Sequence, residues 1–535
     1  MQMASRFFAT AALLGSCAAA IAAPVPRSTG YEDFLSFFAG WRAFQRPKLL
    51  GGVPDYTAPS MLAQHQELAG WQRRLAAFDV TGWPVAHQID LDIVRAEMNG
   101  LEFDHRVLQP WARNPAFYAT VFDEQSDQPA REGPQASGSI ELWRYRFPLT
   151  SQQAADLATA LQPVPALLEQ ARKNLTGDAR DLWVYGMGSV KQQGKTLAAL
   201  AGKVARRPEL SAAVKKAQDA TDAFVAWLEQ QAPAKTGRSG IGVANYDWYL
   251  ANVQLVPYTW AEEFALVQRE LVRARSSLAL EEQKNRRLPP LVPVASAAEH
   301  QRRFNAAITE YVAFLRDKQI LTLRDWMEPA LRARIGRFVP ANQREFFTEI
   351  DFRDPVLMRT HGYHWIDLAW MEHEPHPSPV RRGALLYNIF DSRTEGFATA
   401  MEEMMMHEGL LDARPRSREL VWVLLAQRAA RALGELRMHA NQVTLEEAAK
   451  LAAENTPRGW LRLDGQTVWA EQHLYLQQPG YGTSYVVGKI EVDKLIAARA
   501  QELGDQFTLK RFLDELNRTG LIPITLVAKE LTSAK

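Results

Sequence analysis

The amino-acid sequence predicts an all-α protein, a large set of helices within one domain. After residue 30, apolar side chains recur at the three-and-four spacing of a buried helical face along nearly the whole chain. Segments that alternate between apolar and polar residues, as strands do, are scarce, and residues 524–531 fit either structure. The proline-rich segments 288–296 and 374–379 indicate loops between helices and are too short to be domain linkers.

Composition and charge indicate a soluble globular protein and argue against one that binds nucleic acid. The chain has 535 residues, 47% of them hydrophobic and 23% charged, as is usual for a soluble globular protein. Lys and Arg number 62 against 61 Asp and Glu, so the formal net charge is +1. A protein that binds a polyanion normally carries a basic excess, so we expect no nucleic-acid partner. Beyond the N-terminus, no apolar run approaches the roughly 18 residues of a transmembrane segment.

Residues 1–22 have the organisation of a signal peptide. A positive charge and an apolar stretch precede an Ala-Ile-Ala cleavage site at residues 20–22. We therefore expect an exported protein, periplasmic or secreted, with residues 23–535 as its mature helical domain. Residues 14–17 (Leu-Gly-Ser-Cys) also resemble a bacterial lipoprotein box, so lipidation of Cys17 is the alternative. Because Cys17 is the single cysteine, the mature domain has no disulfide and no thiol chemistry.

The predicted helices follow in order along the chain. Residues 31–45 place five large aromatic side chains on one side of a helix, Phe34, Phe37, Phe38, Trp41 and Phe44. The same spacing predicts helices in the segments 60–78, 90–103, 211–230, 258–283 and 300–318.

Residues 378–412 are predicted to form one long helix or two abutting helices. Ser378 can cap the start, and Gly409 suits the C-terminal stop. Gly383 and Gly396 lie inside this segment, where a glycine costs about 1 kcal/mol relative to alanine. We therefore expect each of these glycines to have a packing reason.

Polar side chains on this helix are the first candidates for chemistry. Glu395 and Glu402 are seven residues apart, which is almost two helical turns, so they fall on one line. Glu403 and His407 lie on the adjacent line and can touch. Met404 and Met405 point elsewhere, towards the core. An amphipathic helix with solvated carboxylates would show the same pattern, so this segment does not establish a site alone.

The segment 360–376 (THGYHWIDLAWMEHEPH) contains His361 and His364. On a helix, residues three apart share a face, so the two imidazoles could bind one metal ion. Catalytic zinc sites often combine two histidines with one glutamate. In the helical HExxH motif, a glutamate directly after the first histidine activates water, whereas this sequence has Gly362 at that place.

Together these segments resemble the bacterial domain-of-unknown-function family 885, exported helical proteins similar to zinc-dependent gluzincin peptidases. Residues 395–403 (EGFATAMEE) match its EGWAxYxE signature. Residues 475–495 resemble its Y-x-x-x-PGQALAYKIG segment, and residues 498–531 follow its closing pattern. Residues 90–106 and 111–118 also fit, so the resemblance covers most of the mature chain and is most specific in the C-terminal third.

The resemblance implies many helices around a deep cleft, as in thermostable carboxypeptidases and oligopeptidases of the gluzincin kind. The metal-site-like part would lie within residues 355–495. The family's zinc ion is implied to be bound by an HExxPGHH segment and by the first glutamate of the signature, which is Glu395 here. Glu402 matches the second glutamate, and Tyr485 matches a tyrosine that could donate to an oxyanion.

The HExxPGHH motif itself is degenerate in this chain. Aligning its later histidine on His364 puts Met358 and Arg359 where the family has His-Glu. Aligning its first histidine on His361 requires a deletion and leaves Gly362 in place of the base. In either alignment the glutamate that activates water is missing.

Two hypotheses for the function follow. In the first, His361, His364 and Glu395 bind Zn²⁺ in an exported hydrolase of peptides or related amides. Glu402, or else Glu372, would then replace the lost base. In the second, a cleft without metal binds peptides or other ligands in the periplasm without cleaving them. Glu395 would then pair with an arginine or a histidine, because an unpaired buried carboxylate is costly.

Two further positions are candidate substrate contacts. Gly480 and Gly482 flank Tyr481, so the backbone there can approach a ligand closely. A Pro-Gly turn that leads into a helix explains the same residues. Arg381, beside Arg382, can meet a substrate carboxylate or simply be solvated. The sequence contains no nucleophile elbow and no phosphate-binding loop, so serine-hydrolase and nucleotide chemistry have no support.

Overall fold

A computed structural model describes residues 30–533, and this part of the chain is almost entirely helical. The first ten helices are α1 (Tyr31–Phe44), α2 (Ala58–Ala76), α3 (Val85–Phe103), α4 (Pro110–Arg113), α5 (Ser151–Leu161), α6 (Val164–Asn174), α7 (Arg180–Val204), α8 (Pro208–Gln231), α9 (Val243–Tyr249) and α10 (Trp260–Asn285). The predicted all-α class is confirmed. The predicted signal peptide and Cys17 lie outside the described residues.

The remaining helices are α11 (Ala297–Asp317), α12 (Met327–Arg332), α13 (Phe346–Arg353), α14 (Pro355–His361), α15 (Tyr363–His373), α16 (Asp391–His407), α17 (Pro415–His439), α18 (Leu445–Asn455), α19 (Thr467–Gln477), α20 (Tyr481–Leu503), α21 (Leu509–Arg518) and α22 (Ile524–Ser533). The segment 524–531, which fitted helix or strand, is thus helical. The strands in the described range form two short pairs, β1 (Leu49–Leu50) with β2 (Val53–Pro54), antiparallel, and β3 (Val121–Phe122) with β4 (Ile140–Glu141), parallel. No helix in residues 30–533 has both the length and the apolarity needed to cross a bilayer.

Two hydrophobic cores hold the helices together. Helices α5 to α8 pack around one of them, which contains Trp183 and Phe224 at zero exposure. A larger core joins α1 and α3 to the helices from α9 onwards. At its centre, α17 is buried on nearly all sides, which is typical of a helix inside a large domain rather than at its surface.

Helices α16 and α20 approach each other at two glycines. A Cβ atom placed on Gly396 would lie 2.4 Å from the Cα of Gly488, and one on Gly488 would lie 2.3 Å from the Ser392 carbonyl oxygen. The packing reason expected for Gly396 is therefore present. Gly383, by contrast, has open space around its Cβ position and lies in a loop.

The long helix predicted for residues 378–412 is wrong in its first third. Residues 378–390 form turns and a short 3₁₀ segment, and α16 begins only at Asp391. Tertiary contacts take the place of helical hydrogen bonds here: the Ser378 hydroxyl donates to Asp90, and the Leu386 amide donates to Glu97. The predicted stop is correct, since Gly409 follows the helix with a φ of +96°.

Asp104 is a buried carboxyl group in the π-helical turn after α3, and burial raises its pKa to about 8. An unfolded chain releases this proton near pH 4, so the folded state holds it over a wider pH range. The contribution of Asp104 to the free energy of unfolding should therefore fall as pH rises from about 4 to 8, by up to about 1.4 kcal/mol per pH unit, and then level off. Asp104→Asn mimics the protonated form and should lack this pH dependence.

Urea unfolding of the parent protein and of Asp104→Asn between pH 5 and 9 measures this effect. The parent should lose stability relative to the variant up to about pH 8. A stability difference that does not change with pH would contradict the prediction.

Candidate metal centre

The side chains of the candidate metal centre come from five helices and one loop. His361 ends α14 and His364 lies in the first turn of α15, with Gly362 between the two helices. The prediction that the histidines share one helical face is therefore wrong, because the helix is interrupted at Gly362. The two imidazole rings are nearly perpendicular, at 81°, with their centroids 5.0 Å apart. Glu395 faces them from α16.

His361, His364 and Glu395 converge as the sequence predicts. Each offers a donor atom, and these atoms all lie within 4.8 Å of one another. One carboxylate oxygen, Oε2 of Glu395, lies 3.2 Å from Nε2 of His364 and 4.0 Å from Nε2 of His361. Among the described residues, these three form the one group of three or more potential metal ligands with this geometry.

The donor atoms fit a zinc ion. Tetrahedral zinc with bonds of about 2.0–2.1 Å separates its donors by about 3.4 Å. The distance from Glu395 to His364, 3.2 Å, is close to this value, and the distance to His361, 4.0 Å, is longer. Nε2 of His364 and Oε2 of Glu395 are buried, and apart from each other, at 3.2 Å, neither has a hydrogen-bond partner in the structure. Buried polar atoms are nearly always satisfied, so two atoms that have only each other are compatible with a shared metal ion between them.

Glu402 lies beside His361 on the side away from this point. Its Oε1 is 3.1 Å from Nδ1 of His361, and both of its oxygens accept from Arg428 of α17, at 2.6 and 2.7 Å. Glu395 and Glu402 thus lie on one line of α16, as their spacing predicts, and His361 lies between them. A carboxylate on the second nitrogen of a ligating histidine fixes its tautomer and orientation, as in many zinc sites.

Glu395 is held through its other oxygen. Oε1 accepts hydrogen bonds from the Tyr481 hydroxyl, at 2.5 Å, and from the Gln128 side-chain amide, at 2.8 Å. The amide nitrogen of Gln128 also lies 3.4 Å from Nδ1 of His364. The carboxylate is thereby fixed with Oε2 turned towards the two histidines.

The protonation states of Glu395 and His361 suit metal binding, whereas that of His364 opposes it. Burial raises the pKa of Glu395, but the charges of His364 and His361 outweigh burial and lower it to about 2. Burial and the charge of Arg428 lower the pKa of His361, which favours the neutral imidazole that binds metals. Burial also lowers the pKa of His364, but the charge of Glu395 overcomes this and raises it to about 9, so a metal ion would have to displace a proton from this imidazole.

Tyr485 lies on the same side of the group as His361. Its ring is roughly parallel to that imidazole, at 14° and 6.4 Å between centroids, and the Arg431 guanidinium lies 4.2 Å from the centre of the tyrosine ring. Burial and the charge of Glu395 raise the pKa of Tyr485 well above its usual range, so its hydroxyl stays protonated and can donate.

The two residues predicted to contact substrate lie in different places. Tyr481 is part of the centre, with its hydroxyl on Glu395. Arg381 does not join the group: it is buried elsewhere, where its guanidinium pairs with Asp90 and Glu530 and donates to two backbone carbonyls. Arg381 is therefore not solvated, and these partners already use its hydrogen-bond donors.

Gln128 and Arg428 belong to the centre, and sequence reasoning missed both. Gln128 comes from the long loop between β3 and β4, and no pattern in the sequence marks it. Arg428 could have been found from the sequence. Together with Arg431 and Glu435 it forms a row of charged residues at three-and-four spacing in the mainly apolar middle of α17. Charged residues on one face of a buried helix indicate that this face meets a buried polar site.

Comparison with known proteins gives the family. The family model described as "Bacterial protein of unknown function (DUF885)" matches residues 44–361 and 362–531, so the two matched parts meet at Gly362. No functionally curated protein matches the chain. Among solved structures, a candidate lipoprotein of unknown function from Shewanella oneidensis matches with a TM-score of 0.68 at 14% identity, covering 94% of this chain and 100% of its own.

A candidate lipoprotein from Colwellia psychrerythraea matches with a TM-score of 0.65 at 15% identity, covering 94% of this chain and 97% of its own. At these identities the two structures establish a shared fold and nothing more. Since the family model spans nearly all of the described residues, the chain belongs to the DUF885 family of bacterial proteins.

Proposed function

We propose that this protein is an exported, zinc-dependent hydrolase of peptides or related amides. The observation that carries the proposal is the convergence of His361, His364 and Glu395 on one point, where the donor atoms of His364 and Glu395 are buried and have no hydrogen-bond partner except each other. The resemblance to gluzincin peptidases supports the same reaction class. Non-catalytic ligand binding is the alternative, in which Glu395 pairs with an arginine or a histidine. Among the described residues Glu395 forms no ion pair with an arginine, but it lies 3.2 Å from His364, so measured metal content has to distinguish the two hypotheses.

The surrounding residues have separable roles in this proposal. A bound zinc ion would supply a Lewis acid that polarises the substrate carbonyl and lowers the pKa of water. Glu402 and Arg428 hold His361 with Nε2 turned to the centre, so Glu402 is a positioning residue. Gln128 and Tyr481 hold Glu395. Tyr485, with its raised pKa, donates a hydrogen bond to the oxyanion that develops on the substrate, a contribution of about 3 kcal/mol.

A carboxylate is still needed to accept a proton, because Gly362 stands at the position of the usual base. Glu402 is bound by Arg428 and His361, and Glu372 lies in the neighbouring cavity. Asp127, next to Gln128, is close enough that its charge contributes to the raised pKa values of both His364 and Tyr485. Asp127 is thus a further candidate for the proton acceptor, beside Glu402 and Glu372.

Export is also part of the proposal. The signal-like residues 1–22 support it, and both similar solved structures are described as candidate lipoproteins, which supports lipidation at Cys17. The mass of the mature N-terminal peptide distinguishes a lipidated cysteine from cleavage after Ala22.

Elemental analysis of the purified protein tests the metal centre. We expect about one zinc ion per chain, and near-complete loss in Glu395→Gln, because catalytic zinc sites depend on three protein ligands. The exposed residue Glu454 provides the matched control, since Glu454→Gln removes the same charge far from the centre and should keep the metal. Peptide hydrolysis should disappear with a chelator and return with added zinc.

Protein that contains no metal in any preparation, and gains none on incubation with zinc, would rule out the hydrolase. Metal that persists at full occupancy in Glu395→Gln would show that the ligands are assigned wrongly.

A further inference from the structure

A cavity of about 550 Å³ shares one residue, Gln128, with the metal centre. Its walls come from residues 326–334 in and beside α12, from one face of α15 and from residues 125–144, which span the loop between β3 and β4 and the turn after β4. Two residues connect it to the centre: Gln128 lines the cavity and donates to Glu395, and Trp365 lines the cavity directly after His364. Gln128 thus lies between a ligand in this cavity and the carboxylate of Glu395.

The cavity presents aromatic surfaces. Trp143, Trp326 and Trp365 line it from three different segments of the chain. The indole of Trp326 is packed at right angles against Trp370, which lies outside the lining, with ring centroids 5.5 Å apart. Aromatic walls with a few placed polar groups are typical of small-molecule and peptide sites, and they favour flat apolar groups.

Arg334 adds a positive charge at the mouth of the cavity. Its guanidinium lies over the indole of Trp365, 3.9 Å from the ring centre. Its one hydrogen-bond partner is the neutral amide of Gln125, at 2.6 Å. No carboxylate in residues 30–533 forms an ion pair with it, and Asp127 acts on it only at longer range. The stacking leaves its remaining N–H groups available at the ring edge.

The other charges in the cavity are largely accounted for. Arg144 pairs with Glu141, and the Arg131 guanidinium lies over Phe122, 3.7 Å from the ring centre. Glu372 carries the remaining negative charge of the lining. With three arginines and two glutamates in its lining, the cavity carries a net positive charge. Arg334 is the arginine whose charge is available to a ligand.

We propose that this cavity is the specificity pocket for a carboxylate-bearing group of the ligand. Arg334 binds the carboxylate, and the tryptophans pack against the apolar part next to it. This inference rests on the proposed function in that it names the substrate class: peptides or amides with a carboxylate close to the bond at the metal centre. The carboxylate can belong to the end of a chain or to an acidic side chain.

Isothermal titration calorimetry with three small probes tests the proposal. N-acetyl-phenylalanine has a terminal carboxylate, N-acetyl-phenylalanine amide is its neutral counterpart, and N-acetyl-glutamic acid α-amide has only a side-chain carboxylate. The first should bind about tenfold more tightly than the second, because a charge-assisted hydrogen bond is lost in the amide. The third probe identifies the source: tighter binding than the first indicates an acidic side chain.

Arg334→Gln should remove this tenfold preference, whereas Arg337→Gln should keep it. Arg337 is also exposed and lies outside the cavity, so it controls for the loss of one surface charge. Equal binding of the acid and the amide by the parent protein overturns the proposal. So does a preference that survives in Arg334→Gln, or the absence of measurable binding by any probe.

The same titrations on chelator-treated protein separate this inference from the proposed function. Arg334 and the tryptophans do not depend on the metal, so the carboxylate preference should persist without it. A preference in a protein that never binds zinc would refute the hydrolase and leave the pocket. A stoichiometric metal without any preference would refute the pocket and leave the hydrolase.

Discussion

Gly396→Ala should lower the free energy of unfolding by about 3 kcal/mol and also weaken metal binding at the neighbouring Glu395. The new Cβ would lie 2.4 Å from the Cα of Gly488 and 2.8 Å from the amide nitrogen of Lys489. Both are backbone atoms, which cannot rotate away as a side chain does. Helices α16 and α20 must therefore move apart, and Glu395 moves with α16 while Tyr481 and Tyr485 move with α20.

Urea unfolding and elemental analysis of the variant measure the two effects. Gly202 in α7 offers the matched control, because its Cβ position is open and it is exposed. Gly202→Ala should stabilise the protein by up to about 1 kcal/mol through helix propensity alone. A Gly396→Ala protein with parental stability would show that the helices do not pack this closely.

Arg428→Met should destabilise the fold by about 3–5 kcal/mol, the usual cost of removing one partner of a buried ion pair. The arginine has zero side-chain exposure and donates to both oxygens of Glu402, which is itself buried. Without it, the carboxylate would be left uncompensated beside His361. Because Glu402 then no longer holds that imidazole in place, zinc affinity should also fall by about 10–100-fold.

The double variant Arg428→Met with Glu402→Leu separates the two consequences. Replacing both members of a buried pair by apolar side chains is often close to neutral, so much of the lost stability should return. Zinc affinity should not return, because His361 still lacks its carboxylate. Arg95→Met, which removes an exposed ion pair with Asp92, should change stability by at most about 1 kcal/mol. Full recovery of zinc affinity in the double variant would exclude the positioning role.

Much of the fold could be predicted because its signals are local. A helical face repeats every three or four residues, so patterns such as the aromatic side chains of α1 identify buried helices directly. The relation between Glu395 and Glu402 was predictable for the same reason. Residues 378–390 were not, because the contacts of Ser378 and Arg381 with Asp90 are distant in sequence and replace a locally plausible helix.

The candidate metal centre was predictable only in part. Its three potential ligands belong to segments with chemical signatures, and the family resemblance connected those segments. The interruption at Gly362, which sets the angle between the two imidazoles, depends on tertiary packing. Gln128 could not be inferred at all, since a lone amide in a polar loop becomes significant only when the fold brings it to Glu395.

Gln128 links the cavity to the candidate metal centre. One side-chain amide borders the aromatic cavity on one side and fixes a potential metal ligand on the other. A ligand that forms a hydrogen bond with this amide would weaken its hydrogen bond to Glu395. A ligand that packs against the amide would hold it closer to Glu395. By thermodynamic linkage, a metal ion at the centre and a ligand in the cavity would then change each other's affinity by the same factor. With a metal ion bound at the centre, a single uncharged residue would thus couple the affinity for that ion to the affinity for a ligand in the cavity.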